Sequence, residues 1–304
     1  FSIIVFSQTI PVSQQILITE IMYDLDGSDS PNEFVELYNP STTDTLNLDG
    51  WSIQDRSSTD ELIESGYGLK IPPLSYGLIL EGDYAIDSGL YQSTIPENAI
   101  LIKVDDSSIG NGLSASDSLF LLDSTGLIIE TLGWEDWVQD GFSLERIRLH
   151  IENNPSNWSQ SLDSLGSPGL MNSVRPDSID FAITGITISP EIISLNESGT
   201  LTGLVANVGL TLGEPEILVY VNGEFFTNEF PGNISELDTV EFELEMGPFE
   251  SGSQTILITI NMAGDSNQSN NSDSTFLGVR YEFRTFVLNE FMPRPASGLP
   301  EFVE

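Results

Sequence analysis

Cysteine is absent from this 304-residue chain, histidine occurs once, at His150, and lysine only twice, at Lys70 and Lys103. Without cysteine there is no disulfide to hold a small fold together and no thiol nucleophile. Zinc sites built from Cys and His are excluded, as are nearly all triads that need an imidazole base. Nine basic residues face 47 acidic ones, for a formal net charge of −38. Such a chain repels phosphate backbones and anionic headgroups, so neither a nucleic-acid surface nor an acidic membrane surface is expected. No apolar run approaches 18 residues, so no membrane-spanning helix is expected. Without a convincing helical period over 12 or more residues, helices have little place either.

What is present is an ordinary apolar supply, 39% of residues, laid out in period-2 runs between Gly, Pro, Asn, Asp and Ser. The clear strands are 16–22, 34–38, 77–80, 100–104, 119–122 and 127–132, then 183–188, 201–208, 217–221, 240–244 and 256–260. Val, Ile, Thr, Phe and Tyr fill them, as half-buried pleated surfaces prefer. Many short strands with turn punctuation predict an all-β chain of sandwiches or barrels. Gly166-Ser167-Pro168-Gly169 and Arg175-Pro176-Asp177 mark a linker. The expected layout is a leader over 1–15, a first domain over 16–172, a linker over 173–180, a second domain over 181–280 and the start of a third over 285–304.

The third segment comes from an internal repeat. Glu290 aligns with Glu20, and Glu301-Phe302-Val303-Glu304 with Glu33-Phe34-Val35-Glu36. A strand without partners cannot bury its face, so the expectation is a fragment of a longer repeating protein, with further domains beyond Glu304. At the other end, Phe1 to Phe6 are apolar. Val5 and Ser7 occupy the −3 and −1 places of a small-residue cleavage site, which predicts a signal-peptide remnant and a secreted chain, a first β-strand being the other reading of the same residues.

The order of motifs carries a family resemblance. Ile18-Thr19-Glu20-Ile21, Glu33-Phe34-Val35-Glu36-Leu37-Tyr38-Asn39 and Leu46-Asn47-Leu48-Asp49-Gly50-Trp51 come first. Ile71-Pro72-Pro73, Asp117-Ser118-Leu119-Phe120, Gly141-Phe142-Ser143-Leu144-Glu145-Arg146, Asn157-Trp158-Ser159 and Gly166-Ser167-Pro168-Gly169 follow. This set resembles the lamin tail domain in its bacterial secreted form. The resemblance implies an immunoglobulin-like sandwich, with a second copy beginning at Phe286. Leu201 to Gly209, the Asn222-Gly223 hairpin signal and Asn270-Asn271 resemble the cell-adhesion-related (CARDB-like) module of surface proteins. The implied fold is two consecutive immunoglobulin-like β-sandwich domains plus a truncated third.

Candidate chemistry is sparse, and no catalytic, cofactor or metal residue is assigned. Asp24-Leu25-Asp26-Gly27-Ser28-Asp29 offers alternate carboxylates to calcium. As an EF-hand loop it lacks the glycine, since Asp29 stands there, and the closing glutamate; a turn is the other reading of the same residues. Glu33 with Glu36, or Glu130 with Glu135, are formal acid/base pairs, but 47 acids make such neighbours by chance. Trp51 and Trp158 read as core packing rather than sugar platforms. Arg146 is expected to pair with a carboxylate across the sheet, and His150 to lie at the surface. Asn157, Asn196, Asn233, Asn267 and Asn270 head Asn-x-Ser sequons. The expected function is a non-catalytic, structural or adhesive surface protein that binds a protein or polysaccharide. The alternative is an accessory region of a secreted nuclease or phosphatase.

Overall fold

The computed structural model describes residues 16–283, 287–292, 297–299 and 302–303. The expected leader, 1–15, lies outside them. The chain divides into two compact units, Phe1–Arg175 and Pro176–Glu304.

Twelve strands build the first unit: β1 (Leu17–Met22), β2 (Phe34–Asn39), β3 (Leu46–Asn47), β4 (Ser52–Gln54), β5 (Thr59–Glu64), β6 (Lys70–Ile71), β7 (Ser75–Leu80), β8 (Ile100–Val104), β9 (Asp117–Leu122), β10 (Ile128–Trp134), β11 (Phe142–Arg146) and β12 (Trp158–Ser164). Ten of them pair in the order β10-β9-β4-β5-β8-β7-β2-β1-β11-β12, and only β7 and β8 run parallel. The sheet folds back on itself, because residues from both of its ends meet in one core: Ile18, Val35 and Leu144 with Ile53, Leu119, Leu121 and Trp134. Strand alternation explains which residues these are. In β2, Val35 and Leu37 enter this core, while Phe34 faces the other way, into a second cluster with Met22, Leu78, Leu80, Tyr84 and Tyr91. The β1, β2 and β7 region is therefore covered on both faces. That placement matters below, because Glu20 and Glu36 sit within β1 and β2 and are fully buried.

The second unit is a sandwich of two sheets. One holds β13 (Phe181–Ser189), β15 (Gly199–Asn207) and β18 (Thr239–Met246), with β15 central; the other has the order β14 (Ile192–Ile193), β20 (Ser272–Val279), β19 (Gly252–Asn261), β16 (Glu216–Val221), β17 (Glu224–Glu229). Phe181, Leu201, Val205, Ile217, Val219, Ile256, Ile258 and Leu277 fill the space between them. Both units are all-β, as expected, the first a ten-stranded sheet folded on itself and the second a two-sheet sandwich. A last hairpin pairs β21 (Phe291–Met292) with β22 (Phe302–Val303) in the register Phe291↔Val303 and Met292↔Phe302. β1 and β2 pair Ile21↔Val35 and Met22↔Phe34. The aligned repeat residues thus pair in the same register in both copies.

Candidate functional site

The most unusual chemistry in the described residues is a set of carboxyl groups shut off from the protein surface. Glu20 (β1), Glu36 (β2) and Glu145 (β11) are each 0% exposed. They stand side by side, since Glu20 pairs in register with Glu145 on one side and Glu36 on the other. Burying carboxylates is costly unless each is hydrogen-bonded, and here all six oxygens have a partner. Ser143 Oγ donates to Glu20 Oε1 (2.5 Å), and so does the Ser167 N–H (2.8 Å). Thr19 Oγ1 donates to Glu36 Oε1 and the Gly169 N–H to Glu36 Oε2, both at 2.7 Å. Ser173 Oγ (2.7 Å) and the Val174 N–H (3.0 Å) donate to Glu145 Oε2. Ser167 Oγ lies 2.8 Å from Glu145 Oε1 and 3.2 Å from Glu20 Oε2. Most of these donors belong to one segment, residues 166 to 174, which follows β12 and lies across the sheet. Asn172 fixes it further, donating from Nδ2 to the carbonyls of Thr19 and Arg146.

Burial pushes the Glu20 carboxyl up to about 8, and the nearby charge of Glu145 adds to the shift. Glu36 is raised well above the usual carboxylate range by burial and then by Glu20. A second buried pair lies elsewhere in the unit. The Glu33 N–H donates to Glu81 Oε2 and the Leu113 N–H to Glu33 Oε2, both at 2.9 Å. Burial pushes Glu33 up to about 8 as well, and raises Glu81.

The residues singled out from sequence are placed as follows. Asp29 uses its carboxylate on the Leu25 N–H (2.8 Å), as a turn residue does. Asp24 is half-buried and Asp26 exposed. Among the described residues no group of three or more His, Cys, Asp or Glu side chains is arranged to hold a metal ion. Glu33 and Glu36 are drawn apart, one to Glu81 and the other to Glu20. Glu130 accepts from Arg146 Nη1 (2.7 Å), whereas Glu135 accepts from Ser116. The cross-sheet partner of Arg146 is therefore Glu130, and the pair is nearly dry. Trp158 is buried and Trp51 half-buried against the core, and His150 is exposed. The Asn157 sequon is closed to modification, because Asn157 is 4% exposed and donates to the Arg148 carbonyl (2.8 Å).

One outward face in the second unit is aromatic. Tyr220 on β16 pairs with Phe225 on β17 and with Leu257 on β19, and Phe276 on β20 pairs with Thr255. Phe225 and Phe276 are 59% and 61% exposed, and the Tyr220 and Phe225 rings meet edge-on at 6.0 Å.

Residues 10–136 match the family model of the Lamin Tail Domain. A lamin tail domain lies in the first unit. The match ends before β11, β12 and the segment across the carboxyl groups. Among solved structures the chain is similar to a CARDB domain from Pyrococcus furiosus, solved in complex with di-metal ions. They share 19% identity over 33% of this chain and 88% of that one, with a TM-score of 0.30. A domain assigned to a cell surface protein of Methanosarcina acetivorans is 16% identical over 36% and 96%, with a TM-score of 0.27. A beta-glucosidase from Listeria innocua is 13% identical, with a TM-score of 0.26, over 34% of this chain and 16% of the enzyme. No curated protein matches. No helix among the described residues is long and apolar enough to cross a membrane.

Proposed function

We propose that this chain is a stretch of modules from an extracellular, cell-surface protein, with a structural or adhesive role toward a protein or polysaccharide. The observation that carries the adhesive part is the outward face of one sheet of the second unit, where Phe225, Tyr220 and Leu257 lie in one row and Phe276 stands two residues along β20 from it. Neighbouring outward positions hold hydroxyl and amide groups: Thr255, Thr259, Ser274 and Asn228. Aromatic rings beside hydroxyl donors suit contact with sugar rings or with a mixed protein surface. The acid surplus fits the same reading, because it keeps a displayed module soluble and repels other copies of itself.

The test is sedimentation of the purified chain with insoluble cellulose, chitin and bacterial peptidoglycan, alongside the double variant Phe225→Ala/Phe276→Ala. Retention on at least one polymer, reduced at least fivefold in the variant, is the expected result. Equal retention of both proteins would remove the aromatic face from the contact. Retention on none would contradict polysaccharide adhesion.

A further inference from the structure

The hydroxyl of Ser167 carries one proton but touches two carboxyl groups, Glu145 Oε1 at 2.8 Å and Glu20 Oε2 at 3.2 Å. Both contacts are hydrogen bonds only if one carboxyl supplies a proton of its own. Glu145 already takes protons at its other oxygen from Ser173 Oγ and the Val174 N–H. Ser173 Oγ in turn accepts from the Leu162 N–H (2.7 Å), so its single proton is directed at Glu145. The shorter Ser167 contact marks Glu145 as its acceptor too. The remaining proton then belongs on Glu20 Oε2, pointing at Ser167 Oγ, while Glu20 Oε1 accepts from Ser143 Oγ and the Ser167 N–H.

We propose that residues 166 to 174 form a strap latched by a proton on Glu20, and that loss of this proton releases the strap from the sheet. The ionised state would place Glu20 directly between Glu36 and Glu145 in register, inside a face with no bulk water. The other titratable groups facing it offer no compensation. Tyr38 (β2) and Tyr76 (β7) are themselves raised by burial, as is Tyr91 from the segment after β7. Arg175, just past the strap, is exposed and acts on Tyr38 and Tyr76. A bound cation is a poorer occupant than a proton, because five of the six carboxyl oxygens already accept hydrogen bonds and the sixth, Glu20 Oε2, has only Ser167 Oγ beside it. The upward shift of Glu20 to about 8 sets the release between neutral and alkaline media. The strap directly precedes the boundary at Arg175 and Pro176. Its release hands nine residues to the connection between the two units, up to ~30 Å of additional reach. This device does not depend on the adhesive reading.

Hydrogen exchange resolved by mass spectrometry on the full chain at pH 6 and pH 9, corrected for intrinsic rates, tests it. The expected result is at least a tenfold loss of protection over 166–174 at pH 9, with β2 and β19 unchanged. Glu20→Gln keeps the neutral geometry, its amide N–H₂ donating to Ser167 Oγ. Its strap is expected to stay protected at pH 9. Unchanged protection of the wild-type strap would overturn the proposal, as would loss of protection across the whole first unit. So would a Glu20→Gln strap that opens with pH as the wild type does.

Discussion

Arg146 shows at the scale of one residue how this acid-rich chain uses its few cations. Its side chain is fully buried, bonded to Glu130 and to the Ile18 and Ile151 carbonyls. Removing one partner of a buried pair strands the other charge. Arg146→Leu should therefore lower unfolding free energy by about 3–5 kcal/mol, whereas Arg146→Leu/Glu130→Leu should recover much of that loss in urea titrations. Gly166 is equally constrained. Its φ is 72°, and an added Cβ would lie 1.9 Å from Glu20 Oε1 and 2.5 Å from Ser143 Oγ. Gly166→Ala is expected to cost more than ~2 kcal/mol, the sum of left-handed strain and the clash. The need for a partner to Arg146 was readable in a sequence so poor in cations, but Glu130 as that partner was not. The carboxyl cluster was hidden for a similar reason. Glu20 and Glu36 stood out in the repeat, but nothing along one strand says that Glu145 from the far end of the unit will lie beside them. The available signal was a glutamate between buried positions, in Ile-Thr-Glu-Ile and in Phe-Val-Glu-Leu. In both, the alternate face is also covered.

At the scale of elements, strands with strong alternation were legible almost to the residue: 100–104 is β8, and 217–221 is one residue short of β16. β5 (Thr59–Glu64) and β17 (Glu224–Glu229) were not, because charged and exposed residues dilute their period, and what makes them strands is pairing with β4, β8 and β16. The strap has no period at all. Its Gly-Ser-Pro-Gly signature reads as a linker, yet its hydroxyls and N–H groups satisfy three buried carboxyl groups. Ser167→Ala leaves Glu20 Oε2 and Glu145 Oε1 without their shared partner. It should cost about 1–3 kcal/mol, measured by urea unfolding. Leu170→Ala, at an exposed position of the same segment, should stay within ~0.5 kcal/mol.

For the whole molecule the carboxyl groups set an unusual dependence on pH. Glu20, Glu33, Glu36 and Glu81 have folded pKa values raised above their unfolded ones. The native state thus binds more protons, and stability falls as pH rises from about 4.5 toward about 8. Asp123 and Glu216 work the other way. Hydrogen bonds from Thr125 lower the first, and those from Asn261 and Asn228 the second, so their contribution is lost as pH falls below the usual carboxylate range. Greatest stability is expected on the acid side of neutrality. The net charge of −38 adds a general repulsion that salt screens. The melting temperature at pH 8 should therefore rise between low salt and 0.5 M NaCl, roughly a threefold drop in Debye length or more. The most direct test of the buried carboxyl groups is urea unfolding of wild type and Glu20→Gln from pH 4.5 to pH 9, in high salt to suppress that repulsion. The expected result is a wild-type stability that falls steadily over this range and a variant whose fall is clearly shallower. Stability that rises with pH, or two parallel curves, would contradict a proton held on Glu20.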